Sequence, residues 1–341
     1  MKAVGLTRYL SITDPESLRD VDLLRPQPKE GDLLVRVEAI SVNPVDTKIR
    51  RSKGPEHHEP LPRILGWDAA GVVEATGDEA RLFQPGDEVY YSGSIGRPGC
   101  NSEYHLVDER IVAKKPASWS MAQSAALPLT AITAYEALFD RMGIAINGQS
   151  EGQVILIIGG AGGVGSTAIQ IAKLANLRVV ATASRAESES WCRRMGADAV
   201  IDHSQSMLPQ LQQLGYPTVD YILNTSHTEQ HWTAMAEAIK PQGHMCGIVD
   251  TTELVDLNAL KPKSATFSWE FMFTRSLYQT KDMIEQHKLL TQIARWVDAG
   301  KIQSTLTESL SPINAANLRT AHAKIESGRM IGKFVLTGWH A

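Results

Sequence analysis

Three glycines at a fixed spacing carry the clearest chemical signal in this chain. In the stretch 153–173 (QVILIIGGAGGVGSTAIQIAK), Gly160, Gly162 and Gly165 follow the apolar, β-branched run 154–158. From Val164 onward, Ala168, Ile171, Ala172 and Ala175 recur at helical spacing. Strand, turn and helix in this order are the setting that the dinucleotide fingerprint G-x-G-x-x-G requires. The first glycine permits a tight turn, the second lets a pyrophosphate approach the backbone, and the third lets helix and strand pack closely. The N–H groups and positive dipole end of the new helix then face the phosphates.

The end of the next apolar run, 178–183, bears on which dinucleotide is held. An NAD site places Asp or Glu there to accept the ribose 2′-hydroxyl. Here the chain reads Ala183-Ser184-Arg185. A carboxylate repels a 2′-phosphate, whereas Arg offers a planar charged fork and Ser a hydroxyl. The pattern favours NADPH, with Glu187 as the nearby alternative acceptor for a free ribose hydroxyl.

Two histidine pairs have spacings that invite a metal reading. His57 and His58 are adjacent in a proline-flanked segment, and His227 and His231 are four apart. Catalytic zinc takes three protein ligands, and neither pair has a third. Both are read as surface residues.

The elements around the glycine turn alternate. Strands are expected over 178–183, 199–201, 219–224, 244–249 and 264–271, with helices near 190–195, 207–214 and 232–239. Six strands with helices between them predict a parallel, doubly wound sheet, whose ligands bind at the carboxyl ends of the strands. Before residue 120 the pattern differs. Short strands are expected at 1–7, 33–42, 69–76, 88–91 and 104–107, separated by proline and glycine turns, with 53–62 read as a loop. That predicts a compact antiparallel barrel. Residues 120–140 read as helix broken at Pro128. Beyond about residue 273 come helices at 282–299 and 315–326 and a closing strand at 333–336. A tail this short cannot bury a core alone, so it is expected to fold back onto the barrel, with the active site in the cleft between domains.

The 341 residues, 43% hydrophobic and 21% charged, suffice for two globular domains. A net charge of −4 and no long basic run argue against nucleic acid or an anionic membrane as partner. Cys100, Cys192 and Cys246 are too far apart for a disulfide framework or a C-x-x-C zinc pattern. No run is long and apolar enough to span a membrane, so a cytoplasmic location is expected.

The motifs NPVDTKIR (43–50), LGWDAAGVVEATG (65–77), PGDEVY (85–90), LPLTAITAYEAL (127–138) and the glycine turn stand in one order. This order resembles the medium-chain dehydrogenase/reductase superfamily, in its quinone-oxidoreductase branch. The tail WEFMFTRS…MIEQHKLL…INAANLRTAHAKIESG is similar to the subgroup called zinc-type alcohol dehydrogenase-like proteins. The resemblance implies a GroES-like antiparallel β-barrel catalytic domain, 1–126 with 274–341, and a Rossmann dinucleotide-binding domain, 127–273. It also implies a homodimer formed through the strand at 264–271.

In the zinc alcohol dehydrogenases that this order resembles, one ligand Cys falls where this chain has Asn43, and a ligand His where it has Trp67. The third ligand falls at Leu129 or Thr130. Asp68 alone is one carboxylate against three or four required donors, so no metal is expected. The chemistry implied is hydride transfer from NADPH to a quinone or an α,β-unsaturated carbonyl, where conjugation spreads the arriving charge onto an oxygen. Asn43 is a candidate amide donor and Lys48 a candidate charge or proton donor. Asp46 is read as holding their loop or orienting Lys48, and Trp67 as an apolar wall for a flat ring. Each has a plainer reading as turn, solvated or core residue. The resemblance also implies that Gly162, Gly163 and Val164 bind the pyrophosphate and that Ser184 and Arg185 bind the 2′-phosphate. It places His203 by the adenosine, Thr130 by the nicotinamide, Asn224 and Ile248 by the ribose and carboxamide, and Lys333 on the cofactor from the returning tail. Two other functions fit the same residues: a zinc-free alcohol or aldehyde reductase, and a non-catalytic NADPH-binding sensor.

Overall fold

In the computed structural model, which describes residues 1–146 and 148–339, the chain separates into two units. One comprises Met1–Leu129, Phe273–Gly300 and Ser304–Ala341, and the other Thr130–Met272 with Lys301–Gln303. The last two residues of the expected catalytic domain, 340 and 341, lie outside the described residues.

The first unit opens with β1 (Lys2–Arg8), β2 (Arg19–Asp22), β3 (Asp32–Val42), α1 (Pro44–Arg50), β4 (His58–Ile64), β5 (Asp68–Thr76), β6 (Glu88–Ser92), β7 (Tyr104–Asp108), β8 (Val112–Lys114) and α2 (Met121–Ala125). Strand β3 is its spine. It pairs antiparallel with β5 and with β7, and its register sets Ser41 opposite Asp68. Gly71 in β5 permits this approach, since a Cβ there would lie 2.1 Å from the Arg36 carbonyl oxygen. The segment read as a loop at 53–62 is half strand. β4 pairs antiparallel with β1 through Gly5–Ile64 and Leu6–Arg63. Pro60 and Pro62 mask this in sequence, but β4 is the outer strand of the order β2-β1-β4, where a missing N–H is tolerated.

The second unit takes over within α3 (Pro128–Tyr135); the break expected at Pro128 falls between α2 and α3, and Pro128 is the first residue of the new helix. A π-helical turn, Glu136–Arg141, follows. Then come β9 (Val154–Ile158), α4 (Gly163–Leu174), β10 (Arg178–Thr182), α5 (Ala186–Arg194), β11 (Ala199–Ile201), α6 (Met207–Gln213), β12 (Val219–Asn224), α7 (Thr228–Ala238), β13 (Ile239–Gly247) and β14 (Thr266–Trp269). The strands pair in parallel in the order β11-β10-β9-β12-β13-β14. All five residues of β9 are buried, as a central strand covered on both faces requires. Leu156, Ile158, Val180, Ile222, Trp232 and Met235 belong to one core cluster, each such side chain contributing about 1.5–3 kcal/mol by burial.

The chain returns to the first unit as α8 (Thr274–Tyr278), α9 (Glu285–Asp298), β15 (Leu306–Leu310), α10 (Ala315–Glu326) and β16 (Lys333–Thr337). Strand β16 lies antiparallel to β3, with Phe334 opposite Val42, and parallel to β15. That pairing carries Lys333 to the carboxyl end of β3.

Candidate functional site

The glycine turn divides its labour differently from the simplest reading of the fingerprint. The left-handed residue is Gly159, at φ +81°, not Gly160. Gly160 is needed for packing, because a Cβ there would lie 2.8 Å from the Ala181 Cβ and 2.9 Å from the Cys192 Sγ. Gly165 is tighter still, with the Gly159 carbonyl oxygen 2.3 Å from where its Cβ would stand. Gly162 is open, its nearest neighbour being 3.5 Å away. It is also the N-cap of α4, with no side chain to satisfy the first-turn N–H groups. Two glycines therefore hold helix to strand, and the third leaves a bare, donor-rich backbone for an anion. Gly163 and Val164 form the half-buried first turn beside it.

At the carboxyl edge of the same sheet, Ser184 is exposed and Arg185, half-buried, is the N-cap of α5. The Arg185 backbone N–H donates to Ser188 Oγ at 3.2 Å. His203 follows β11, its Nδ1 3.2 Å from Thr182 Oγ1. Thr182, which sequence reasoning passed over, also accepts the Gly159 N–H at 3.0 Å. Thr130 is buried on α3 and accepts from Thr167 Oγ1 of α4 at 3.2 Å. Asn224 commits its amide to the turn that opens α7. Its Nδ2 donates to Thr228 Oγ1 at 3.0 Å and its Oδ1 accepts the Ser226 N–H at 3.2 Å. Ile248 is half-buried, and its N–H donates to the Asn224 carbonyl at 3.2 Å. The histidine pairs are not both superficial: His57 and His58 are exposed, and so is His227, but His231 is buried on α7.

The first unit holds a buried cluster of Asn43, Asp46, Asp68 and Lys333. Asn43 caps α1, with its backbone N–H donating to Asp46 Oδ2 at 2.8 Å. Its Nδ2 donates to Asp68 Oδ2 at 2.8 Å and to the Ser41 carbonyl at 3.4 Å. Lys333 Nζ donates to Asn43 Oδ1 at 2.5 Å, and to the Val42 carbonyl and Asp68 Oδ2 at 3.2 Å each. Asp68 Oδ1 accepts the Leu129 N–H at 2.7 Å. Burial pushes the Asp46 carboxyl up to about 7, against the pull of the Asn43 N–H and the Lys333 ammonium. Burial also raises Asp68, again opposed by Lys333. Asp46 Oδ1 is buried with no hydrogen-bond partner.

This geometry bears on four expectations. The Asn43 amide is engaged by protein on both of its ends rather than presented to an acceptor. Lys333 spends its three donors on Val42, Asn43 and Asp68 of the first unit. Asp46 holds the Asn43 loop by its backbone, while Lys48 is exposed two residues further round the helix. Trp67 is core: it is 1% exposed, donates its indole N–H to the Ser94 carbonyl at 2.9 Å, and meets Phe273 edge to face. Asp68, which sequence reasoning treated as a leftover carboxylate, is the hub of the cluster. Its signal was its place beside Trp67 in the G-W-D motif.

Comparison with known proteins gives the class. Residues 29–117 match the alcohol dehydrogenase GroES-like domain, and residues 195–336 match the zinc-binding dehydrogenase family. A zinc-type alcohol dehydrogenase-like protein of Staphylococcus aureus (strain MSSA476) is 45% identical over 98% of this chain and 99% of its own length. The solved structure of a candidate zinc-dependent alcohol dehydrogenase protein from Rhizobium etli CFN 42 superposes with a TM-score of 0.95 at 48% identity, covering 100% of this chain and 99% of that one. A chloroplastic quinone-oxidoreductase homolog of Spinacia oleracea is 28% identical over 98% of each chain. The chain belongs to the medium-chain dehydrogenase/reductase superfamily, in its quinone-oxidoreductase-like branch, among the zinc-type alcohol dehydrogenase-like proteins. It is an oxidoreductase with a GroES-like antiparallel domain and a Rossmann sheet.

The family description raises zinc, and the residues present do not fit it. Asn43, Trp67 and Asp68 offer neither thiolate nor imidazole, and their polar atoms are committed to other partners. An ammonium already neutralises Asp68. Among the described residues, no group of three or more His, Cys, Asp or Glu is arranged to hold a metal.

Proposed function

We propose that the chain is a zinc-independent, NADPH-dependent oxidoreductase that delivers a hydride to a quinone or an α,β-unsaturated carbonyl. The observation that carries this reading is the open Gly162 turn followed, at the end of β10, by Ser184-Arg185 where an NAD site has a carboxylate. NADPH, when bound, supplies the hydride. Gly162, Gly163 and Val164 hold its pyrophosphate and Ser184 and Arg185 its 2′-phosphate, with His203 at the adenosine and Thr130 and Ile248 at the nicotinamide end. Asn224 serves this site by fixing the loop that opens α7.

Asn43, Asp46, Asp68 and Lys333 work as a preorganised charge cluster. Removing the hydroxyl proton of a simple alcohol takes a base or a Lewis acid. A conjugated acceptor needs no such step at the start, which is why it suits a donor set of this kind. Lys48 is the exposed candidate for stabilising charge on the acceptor oxygen. The first unit serves as the catalytic domain and the second as the dinucleotide domain, with boundaries a few residues from those expected at 126/127 and 273/274.

Two copies pair through β14, the outer strand of the parallel sheet. Trp269 in it and Phe271 just after it are each 47% exposed, and Leu254 and Leu257, also exposed, line one depression with Trp269. NADPH oxidation with a panel of quinones, enones and aldehydes, with and without a chelator, tests the reading. Turnover on quinones or enones that survives chelation supports it. Preference for aldehydes points to a zinc-free carbonyl reductase, and tight binding without turnover to a sensor; either overturns it.

A further inference from the structure

Three histidines gather at one corner of the Rossmann sheet, and the function above uses only one of them. Parallel pairing carries β10 and β11 to the same edge, with Thr182 opposite Ile201 and the Ala183 N–H donating to the Ile201 carbonyl at 2.9 Å. Ser184-Arg185 and Asp202-His203 therefore leave neighbouring strand ends side by side. The His203 ring lies 6.1 Å from the His231 ring, edge to face. His227 stands at the N-cap of α7, its Nδ1 2.8 Å from Ser226 Oγ. Thr182 Oγ1, which accepts the Gly159 N–H, also lies within hydrogen-bond distance of His203 Nδ1 and so orients that ring.

We propose that His203, backed by His227 and His231, is a titrating part of the 2′-phosphate seat, so that the preference for NADPH over NADH weakens as pH rises. This rests on the NADPH reading given above. Burial holds His203 below the ordinary imidazole range, helped by the nearby His227, with Asp202 pulling the other way. Burial, with His203 and His227 beside it, drops His231 to about 4, and Glu229 on the same helix opposes this only weakly. The trio is short of negative charge. Asp202 on the β11 loop and His227 at the N-cap of α7 act on His203, and Glu229 on α7 acts on His231. A 2′-phosphate carries close to two charges above its second pKa of about 6. Placed beside this trio it raises the His203 pKa, so binding takes up a proton and is stronger on the acid side. NADH lacks the phosphate and gains nothing.

The test is the dissociation constants of NADPH and NADH for the full chain at pH 6.5, 7.5 and 8.5. The wild-type NADH-to-NADPH ratio is expected to fall by about fivefold to tenfold across that range, the difference between a charged and a neutral hydrogen bond. In His203→Gln the ratio is expected to be flat. His227→Gln, exposed and safe for folding, should shift the profile toward higher pH, because it removes a repelling neighbour. A wild-type ratio that does not change with pH, or an equal slope in His203→Gln, overturns this proposal and leaves the NADPH reading standing. Absent binding, or NADH at least as tight as NADPH at every pH, overturns the NADPH reading itself.

Discussion

Two buried clusters in this molecule each set two carboxylates against one cation, and they resolve the imbalance differently. In the first unit, Asp46 and Asp68 face Lys333, whose side chain is 4% exposed and whose donors all end on protein oxygens. In the second, Glu136 and Glu270 face Arg141, which is 31% exposed, with its Nε 2.8 Å from Glu270 Oε2 and an N–H₂ group 4.0 Å from Glu136 Oε2. There burial and the Glu136 charge push Glu270 up to about 9, so that pair keeps a proton through neutral pH. The first cluster instead carries its spare titration on Asp46, near 7. One cluster is a charge frame whose balance changes where an enzyme works. The other is a structural pair that joins the π-helical turn to the end of β14.

The largest expected contrast comes from removing each cation. Lys333→Met strands Asp68 without compensation and is expected to cost about 3–5 kcal/mol in urea unfolding. Adding Asp68→Asn should recover much of that loss. Arg141→Met should cost less, about 1–2 kcal/mol, because a shared proton and solvent already serve that site. Equal losses would erase the distinction between the clusters.

How much of this was legible in the sequence follows from distance along the chain. The Rossmann half announces itself locally: β9, the glycine turn and α4 are contiguous, and each later strand repeats the pattern. Even there, the roles of Gly159 and Gly160 depend on Ala181 and Cys192, which only the fold brings near. The charge cluster is not local. Lys333 reaches Asn43 across 290 residues and Asp68 across 265. No spacing rule joins them, so the sequence offers Asn43 only as a candidate amide donor and does not link it to Lys333 or Asp68. Strand β4 was hidden by its prolines, since pairing with β1 overrides local propensity.

The glycines sharpen the same division at intermediate size. Gly165→Ala forces a Cβ against the Gly159 carbonyl and is expected to cost about 1–3 kcal/mol. Gly162→Ala has room, so its melting temperature should stay close to wild type while NADPH affinity falls at least about tenfold. Calorimetry on both variants checks this, and a stability loss at Gly162 would contradict it.

The most gradual expected effects, spread over several pH units, are in pH dependence. A carboxyl whose folded pKa is raised contributes fully below its unfolded value, and its contribution is lost as pH rises through the folded one. For Glu270 that window runs from 4.5 to about 9, and for Asp46 from 3.8 to about 7. Glu270→Gln should therefore be relatively more stable at pH 8.5 than at pH 6. Asp46→Asn should gain between pH 4 and 7 and show no further change above about 7.5, with slopes no steeper than about 1.4 kcal/mol per pH unit. Thermal melts across pH separate the two windows.

The central claim of the proposed function is that the Lys333 ammonium, and not a metal ion, balances Asp68. Elemental analysis of freshly purified, NADPH-oxidising protein tests it most directly. The account predicts activity at zinc contents far below one per chain. One zinc per chain, with activity lost on its removal and restored on its return, would contradict it.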